Sequence, residues 1–173
     1  MRKLLVVVDM QNDFIDGALG TKEAAAIVEN VKKKIASYEP ENVWATRDTH
    51  EVNYMETSEG HHLPVEHCIR DTKGWEIRED IAAVMPDAKI IDKPTFGSVE
   101  LAEMLLELSQ KEEIEIELIG LCTDICVVSN ALLLKANMPE VKISVDSACC
   151  AGVTPQSHEA ALTTMRMCQI EVI

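Results

Sequence analysis

Short runs rich in valine, leucine and isoleucine recur along the chain at 4–8, 43–46, 89–91, 116–121, 141–145 and 170–173. Between them lie segments 23–38, 75–84, 99–108, 124–136 and 155–167, whose apolar residues fall three and four positions apart. The first pattern is that of buried strands and the second that of amphipathic helices, so strand and helix alternate throughout. Alternation of this kind predicts an α/β fold: a three-layer, Rossmann-like, doubly wound and mostly parallel sheet of about six strands with helices on both faces. One stretch breaks the rhythm. Residues 48–73 form a long polar insertion with glycine, proline and several histidines, and a loop of that length within a compact fold is usually functional.

Composition narrows the picture. The 173 residues are 47% hydrophobic, enough for one domain, expected to span 1–173, with 48–73 as an insertion in it. A formal charge of −14 argues against nucleic acid or an anionic membrane as partner and favours a small neutral or cationic ligand. No apolar run reaches membrane-spanning length, and the start, Met1-Arg2-Lys3 followed by five apolar residues and Asp9, does not read as a signal peptide, so a cytoplasmic protein is expected. The six cysteines, at 68, 122, 126, 149, 150 and 168, match neither a zinc ribbon nor a disulfide scaffold and are expected to be reduced. Cys149 and Cys150, adjacent in an extended segment, should face opposite ways.

In doubly wound sheets ligands bind beyond the carboxyl ends of the strands, which turns those ends into a shortlist: Asp9, Asp48, Lys93, Cys126 and Asp146. Cys126 stands where the run Ile119-Gly120-Leu121-Cys122-Thr123-Asp124-Ile125-Cys126 passes from strand to helix pattern. A thiol in the first turn of a helix feels the positive end of the macrodipole and meets free backbone donors, which suits a nucleophile; the alternative is a buried structural cysteine. Asp9 is placed to accept the thiol proton or merely to cap a turn, and Lys93 to lower the thiol's pKa or to sit in solvent. In the insertion, Asp48 and His50 are two apart and can face one point, with Glu59, His61, His62, Glu66 and His67 following; carboxylate plus imidazole suits zinc, iron(II) or manganese(II), although a polar loop with surface histidines has the same spacing.

Asp-x-Gln-x-Asp-Phe from Asp9, Asp-x-His from Asp48, Lys-x-x-Phe-Gly-Ser from Lys93 and Gly-x-x-Thr-Asp-x-Cys-Val from Gly120 resemble, in this order, the isochorismatase-like cysteine hydrolases, the nicotinamidases above all. The resemblance runs on to Asp146-Ser147-Ala148-Cys149 and so covers nearly the whole chain. It implies a catalytic triad of Asp9, Lys93 and Cys126, a cis peptide at Leu121-Cys122, and an oxyanion hole made by the amides of Cys122 and Cys126. It further implies substrate contacts from Phe14, Leu121 and Phe96, and a divalent metal, zinc first with iron or manganese next, on Asp48, His50 and His67 with Glu59 as a possible fourth ligand. The activity implied is cleavage of a small, nicotinamide-like carboxamide to acid and ammonia through a thioester that a metal-activated water hydrolyses. Alternatives are hydrolysis of an N-carbamoyl compound or ureide, or a non-enzymatic metal or redox sensor using Cys122 and Cys126. A homo-oligomer is also implied. The chain departs from the resemblance at one place: nicotinamidases resemble Trp-Pro-x-His-Cys before the metal histidine, with the tryptophan on the pyridine ring, where this chain has Leu63-Pro64-Val65-Glu66-His67-Cys68.

Overall fold

Five successive residues of strand β1 (Arg2–Val8), from Leu4 to Val8, have no solvent exposure in the computed structural model, which describes residues 1–173. Side chains alternate across a strand, so a run of this kind needs cover on both faces. β1 is accordingly central: β2 (Val43–Asp48) and β4 (Ile114–Leu121) flank it, and β3 (Lys89–Lys93), β5 (Lys142–Ala151) and β6 (Glu171–Val172) complete the order β3-β2-β1-β4-β5-β6, with every pairing parallel.

On one face Leu5 and Val7 meet α1 (Asn12–Ile15), α2 (Lys22–Ala26), α3 (Val28–Ile35) and, past the short α4 (Ser58–His62), α5 (Glu79–Ala82). On the other, Leu4, Val6 and Val8 meet α6 (Val99–Ser109), α7 (Val128–Asn137) and α8 (Pro155–Met167). Local sequence sets the helix starts. The hydroxyls of Thr21 and Ser98 accept from the Ala24 and Leu101 amides, and Thr154 forms a capping box with Ser157 ahead of Pro155. No helix is long and apolar enough to cross a membrane. Cys149 and Cys150 pack into opposite faces, and all six cysteines are free.

The structure departs from the pattern-based elements at four places. The helix expected over 23–38 breaks at Ile27 into α2 and α3, yet Ala24, Ile27, Val28, Val31 and Ile35 stay in one core, so the axis turns without lifting the apolar stripe off the sheet. The helix expected over 75–84 shrinks to α5, because its first residues pair instead with the turn after β1: Asn12 donates to the Glu76 carbonyl and Arg78 to that of Met10. The segment after Cys122 opens as a single wide turn with π-helical bonding at Thr123–Val127 before α7 begins, a feature often found at functional sites. Finally, β5 continues to Ala151, so Asp146 lies within the strand, where Lys34 on α3 grips it at 2.7 Å; it is not part of the carboxyl-end cluster.

Strand order reverses between β1 and β4, and there the backbones approach closely. Gly120 has a φ of +117°, and a Cβ on it would lie 2.1 Å from the Val8 carbonyl oxygen. Replacing Gly120 with alanine is expected to destabilise the fold by about 3 kcal/mol or more, a fall in Tm of roughly 6–12 °C, measured by thermal unfolding. A fall of less than about 2 °C would contradict this packing.

Candidate active site

The crevice beyond β1, β2, β3 and β4 receives one functional group from each strand end. Asp9 follows β1, Asp48 and Lys93 close β2 and β3, and Cys126 stands in the wide turn after β4. Asp9, Asp48, Lys93 and Cys126 are all buried. Lys93 is the hub: its ammonium lies 2.7 Å from Asp9 Oδ2, 3.2 Å from the Thr95 carbonyl, 3.3 Å from Cys126 Sγ and 3.4 Å from Asp48 Oδ1. A buried charge is tolerated only when paired, and two carboxylates around one ammonium provide that pairing.

Electrostatics distinguish the members. Burial disfavours a charged Lys93, but Asp9, Cys126 and Asp48 reverse the balance and hold it firmly protonated. Burial likewise raises the proton affinity of Asp9, against the pull of Lys93. Thr46 donates to Asp9 Oδ1 at 2.7 Å, whereas Oδ2 touches the ammonium without a well-directed hydrogen bond and keeps a lone pair for another proton. The Cys126 thiol is pushed well up, by burial first and then by the Asp9 charge, with Lys93 pulling the other way. Burial therefore favours the neutral thiol against the pull of a helix end and a cation, beside a carboxylate whose proton affinity burial also raises. Desolvation of sulfur in this crevice outweighs one shared cation.

Several polar residues to which the sequence reading gave no role fix this geometry. Gln11 clamps the Asp48 backbone from both sides, accepting from its amide and donating to its carbonyl, each at 2.8 Å. Asn130, buried on α7, donates to the carbonyls of Cys126 (2.8 Å) and Phe96 (3.1 Å) and accepts from the Ser98 amide (2.9 Å), tying the sulfur's turn to the turn after β3. An amide next to the apolar run Ala131–Leu134 was the available signal for Asn130. The peptide Leu121-Cys122 is cis, and the Cys122 amide has no acceptor within the chain.

Next to the triad of groups, Asp48, His50, Glu59 and His67 offer one ligand atom each, all within 4.8 Å of one another. His50 Nε2 lies 2.9 Å from Asp48 Oδ2 and 3.5 Å from Glu59 Oε1, and His67 Nε2 lies 3.6 Å from both carboxylates. The other His67 nitrogen, Nδ1, donates to the Val65 carbonyl at 2.8 Å, which leaves Nε2 as the inward-facing atom. Burial opposes a charge on His67, but Asp48, Glu59 and Val65 outweigh it and raise its pKa to about 10. Burial would also raise Asp48, yet His50, His67 and Lys93 hold it well below the usual carboxylate range. Two carboxylates and two imidazoles converging in a buried place call for positive charge, and the set suits a divalent cation of the zinc, iron or manganese type. His61 and Glu66 stand apart in solvent.

Both groups open into one cavity of about 520 Å³. Cys122, Cys126, Asp48, Glu59 and His67, with Ser58, His62 and Thr95, contribute its polar part; Phe14, Leu19, Leu63, Phe96 and Ile125 contribute apolar walls. Of the expected substrate contacts, Phe14 and Phe96 line it. Leu121 does not: its side chain is fully buried in the core beneath the sheet, since the strand's alternation turns it to the face of Ile119 and Cys149.

Isochorismatase-domain sequences match residues 3–173. The nicotinamidase/pyrazinamidase of Mycobacterium tuberculosis (strain ATCC 25618 / H37Rv) is 26% identical over 184 residues, covering 99% of this chain and 98% of that protein. Among solved structures, the pyrazinamidase of Pyrococcus horikoshii in complex with zinc is 27% identical with a TM-score of 0.81, covering 100% of this chain and 99% of the other. The N-carbamoylsarcosine amidase of Thermoplasma acidophilum is 26% identical with a TM-score of 0.78, covering 99% and 95%.

The ion pair at the hub yields a stability test. Lys93→Met strands two buried carboxylates and Asp9→Asn removes the ammonium's nearest partner, and each is expected to cost about 3–5 kcal/mol in urea unfolding. The double variant should lose at least about 1 kcal/mol less than the sum; strict additivity would contradict the pairing.

Proposed function

The chain belongs to the isochorismatase family, and we propose that within it the protein is a cysteine amidase that cleaves a small, nicotinamide-like carboxamide to the carboxylic acid and ammonia. The observation that carries this reading is the contact of one buried ammonium with both a carboxylate and a thiol on the floor of a ligand-sized cavity. The nicotinamidase and pyrazinamidase activities named for the relatives agree with it. In this reading residues 1–173 act as one hydrolase domain with 48–73 as its metal and substrate loop.

The proposed chemistry follows from the charges. Because the thiol rests neutral, its proton must leave as sulfur attacks, and Asp9 is the acceptor whose affinity burial has raised. Lys93 stays protonated throughout and offsets the negative charge that moves between Asp9, sulfur and the carbonyl. The carbonyl oxygen becomes an oxyanion held by the amides of Cys122 and Cys126, an interaction worth roughly 2.7–4 kcal/mol of barrier per donor. Collapse breaks the C–N bond as Asp9 returns its proton to the departing ammonia, leaving the acyl group on Cys126. Asp9, again a carboxylate, takes a proton from the water that attacks the thioester and passes it to the sulfur as the acid leaves. Asp48, His50, Glu59 and His67 would hold a divalent cation, zinc by the softness of the ligands, which supplies a Lewis acid to the same cavity.

Ammonia release from nicotinamide tests the reading directly. It is expected in the unmodified protein and to fall by about 10⁴-fold or more in Cys126→Ala with the fold intact by circular dichroism; equal rates in the two would overturn it. Metal analysis tests the loop: His50→Ala is expected to lower bound metal well below the level of the unmodified protein, and unchanged content would remove His50 from the ligand set.

A further inference from the structure

The walls of the cavity say more about the substrate than its floor does. The polar groups of the floor handle a carbonyl and its leaving group, whereas Leu19, Leu63, Phe96 and Ile125 beside Phe14 form apolar walls, interrupted by Ser58, His62 and Thr95. Leu63 and Phe96 are 38% and 41% exposed, so large apolar side chains stand open to water at the cavity. Apolar surface left open next to a reactive group is typical of ligand sites, because a bound molecule covers it.

We infer that this site selects primary carboxamides whose acyl group is aliphatic and long enough to cover Leu63 and Phe96, and that these two residues set the preference. The inference rests on the proposed amidase reading and keeps its carboxamide group, while the acyl group it favours is an aliphatic chain in place of nicotinamide's ring. A single flat ring against Phe14 leaves the leucine and isoleucine walls in water; a flexible hydrocarbon chain, which follows irregular aliphatic surface, covers them. Each methylene that passes from water onto such a wall is worth about 0.8 kcal/mol, or about fourfold in kcat/KM.

The test is a series of amides assayed for ammonia: propanamide, butanamide, pentanamide and hexanamide, with nicotinamide as the ring. The expected result is kcat/KM rising about three- to fourfold per carbon and hexanamide exceeding nicotinamide. In Leu63→Ala and Phe96→Ala the hexanamide-to-propanamide ratio, taken within each variant, should drop by about threefold or more. A flat or falling series in a protein that hydrolyses nicotinamide would overturn the inference and leave the amidase reading standing, as would ratios unaltered in both variants. Failure to release ammonia from any of these amides would overturn the amidase reading itself.

Discussion

One ammonium, Lys93, sits among three groups that would be intolerable neighbours without it: the carboxylates of Asp9 and Asp48 and the sulfur of Cys126. Each comes from the end of a different strand, so the contact requires β1, β2, β3 and β4 to be in register and their carboxyl ends to open on one side. Placing a cation there offsets one of the two carboxylate charges and permits their burial, while Asp9 keeps spare acceptor capacity. The same constraint therefore serves folding and chemistry: removing water strengthens every electrostatic interaction in the crevice and makes an unpaired member costly.

Asp48 links the ion pair to the candidate metal cradle. Its Oδ1 faces Lys93 while its Oδ2 faces His50 and His67, and Gln11 holds its backbone so that both contacts persist. A carboxylate shared in this way sets the distance between the sulfur and the divalent-cation ligands, and places both along one cavity. Asn130 plays the corresponding part on the other side, joining the sulfur's turn to the turn that follows Lys93.

Much of this architecture was legible in the chain. The continuous apolar runs fixed a two-face buried sheet, and because functional groups in such sheets gather at the carboxyl ends, Asp9, Asp48, Lys93 and Cys126 could be placed near one another before their contacts were known. Asp146 was misplaced by the same logic, since β5 runs past it and Lys34 holds it within the strand region. The segment 75–84 carries helical spacing, yet its backbone is captured by the turn after β1; pairing between distant segments overrides local pattern and leaves no local trace. The balance at the thiol was only half legible for a similar reason, because a helix end and a lysine are visible in sequence while depth of burial is not. Leu121 was assigned to the substrate and belongs to the core, whereas Leu19, Leu63 and Ile125, from three separate segments, form walls that only the folded chain brings together.

The central chemical claim is that Cys126 carries the acyl group between release of ammonia and release of acid. Turnover of a carboxamide quenched in acid within the first catalytic cycles, followed by peptide mass mapping, reads this directly. The expected result is the mass of the acyl group on the peptide containing Cys126 and on no other cysteine, and absent when the substrate is the product acid. Ammonia released at full rate with Cys126 unmodified at every quench time would contradict it.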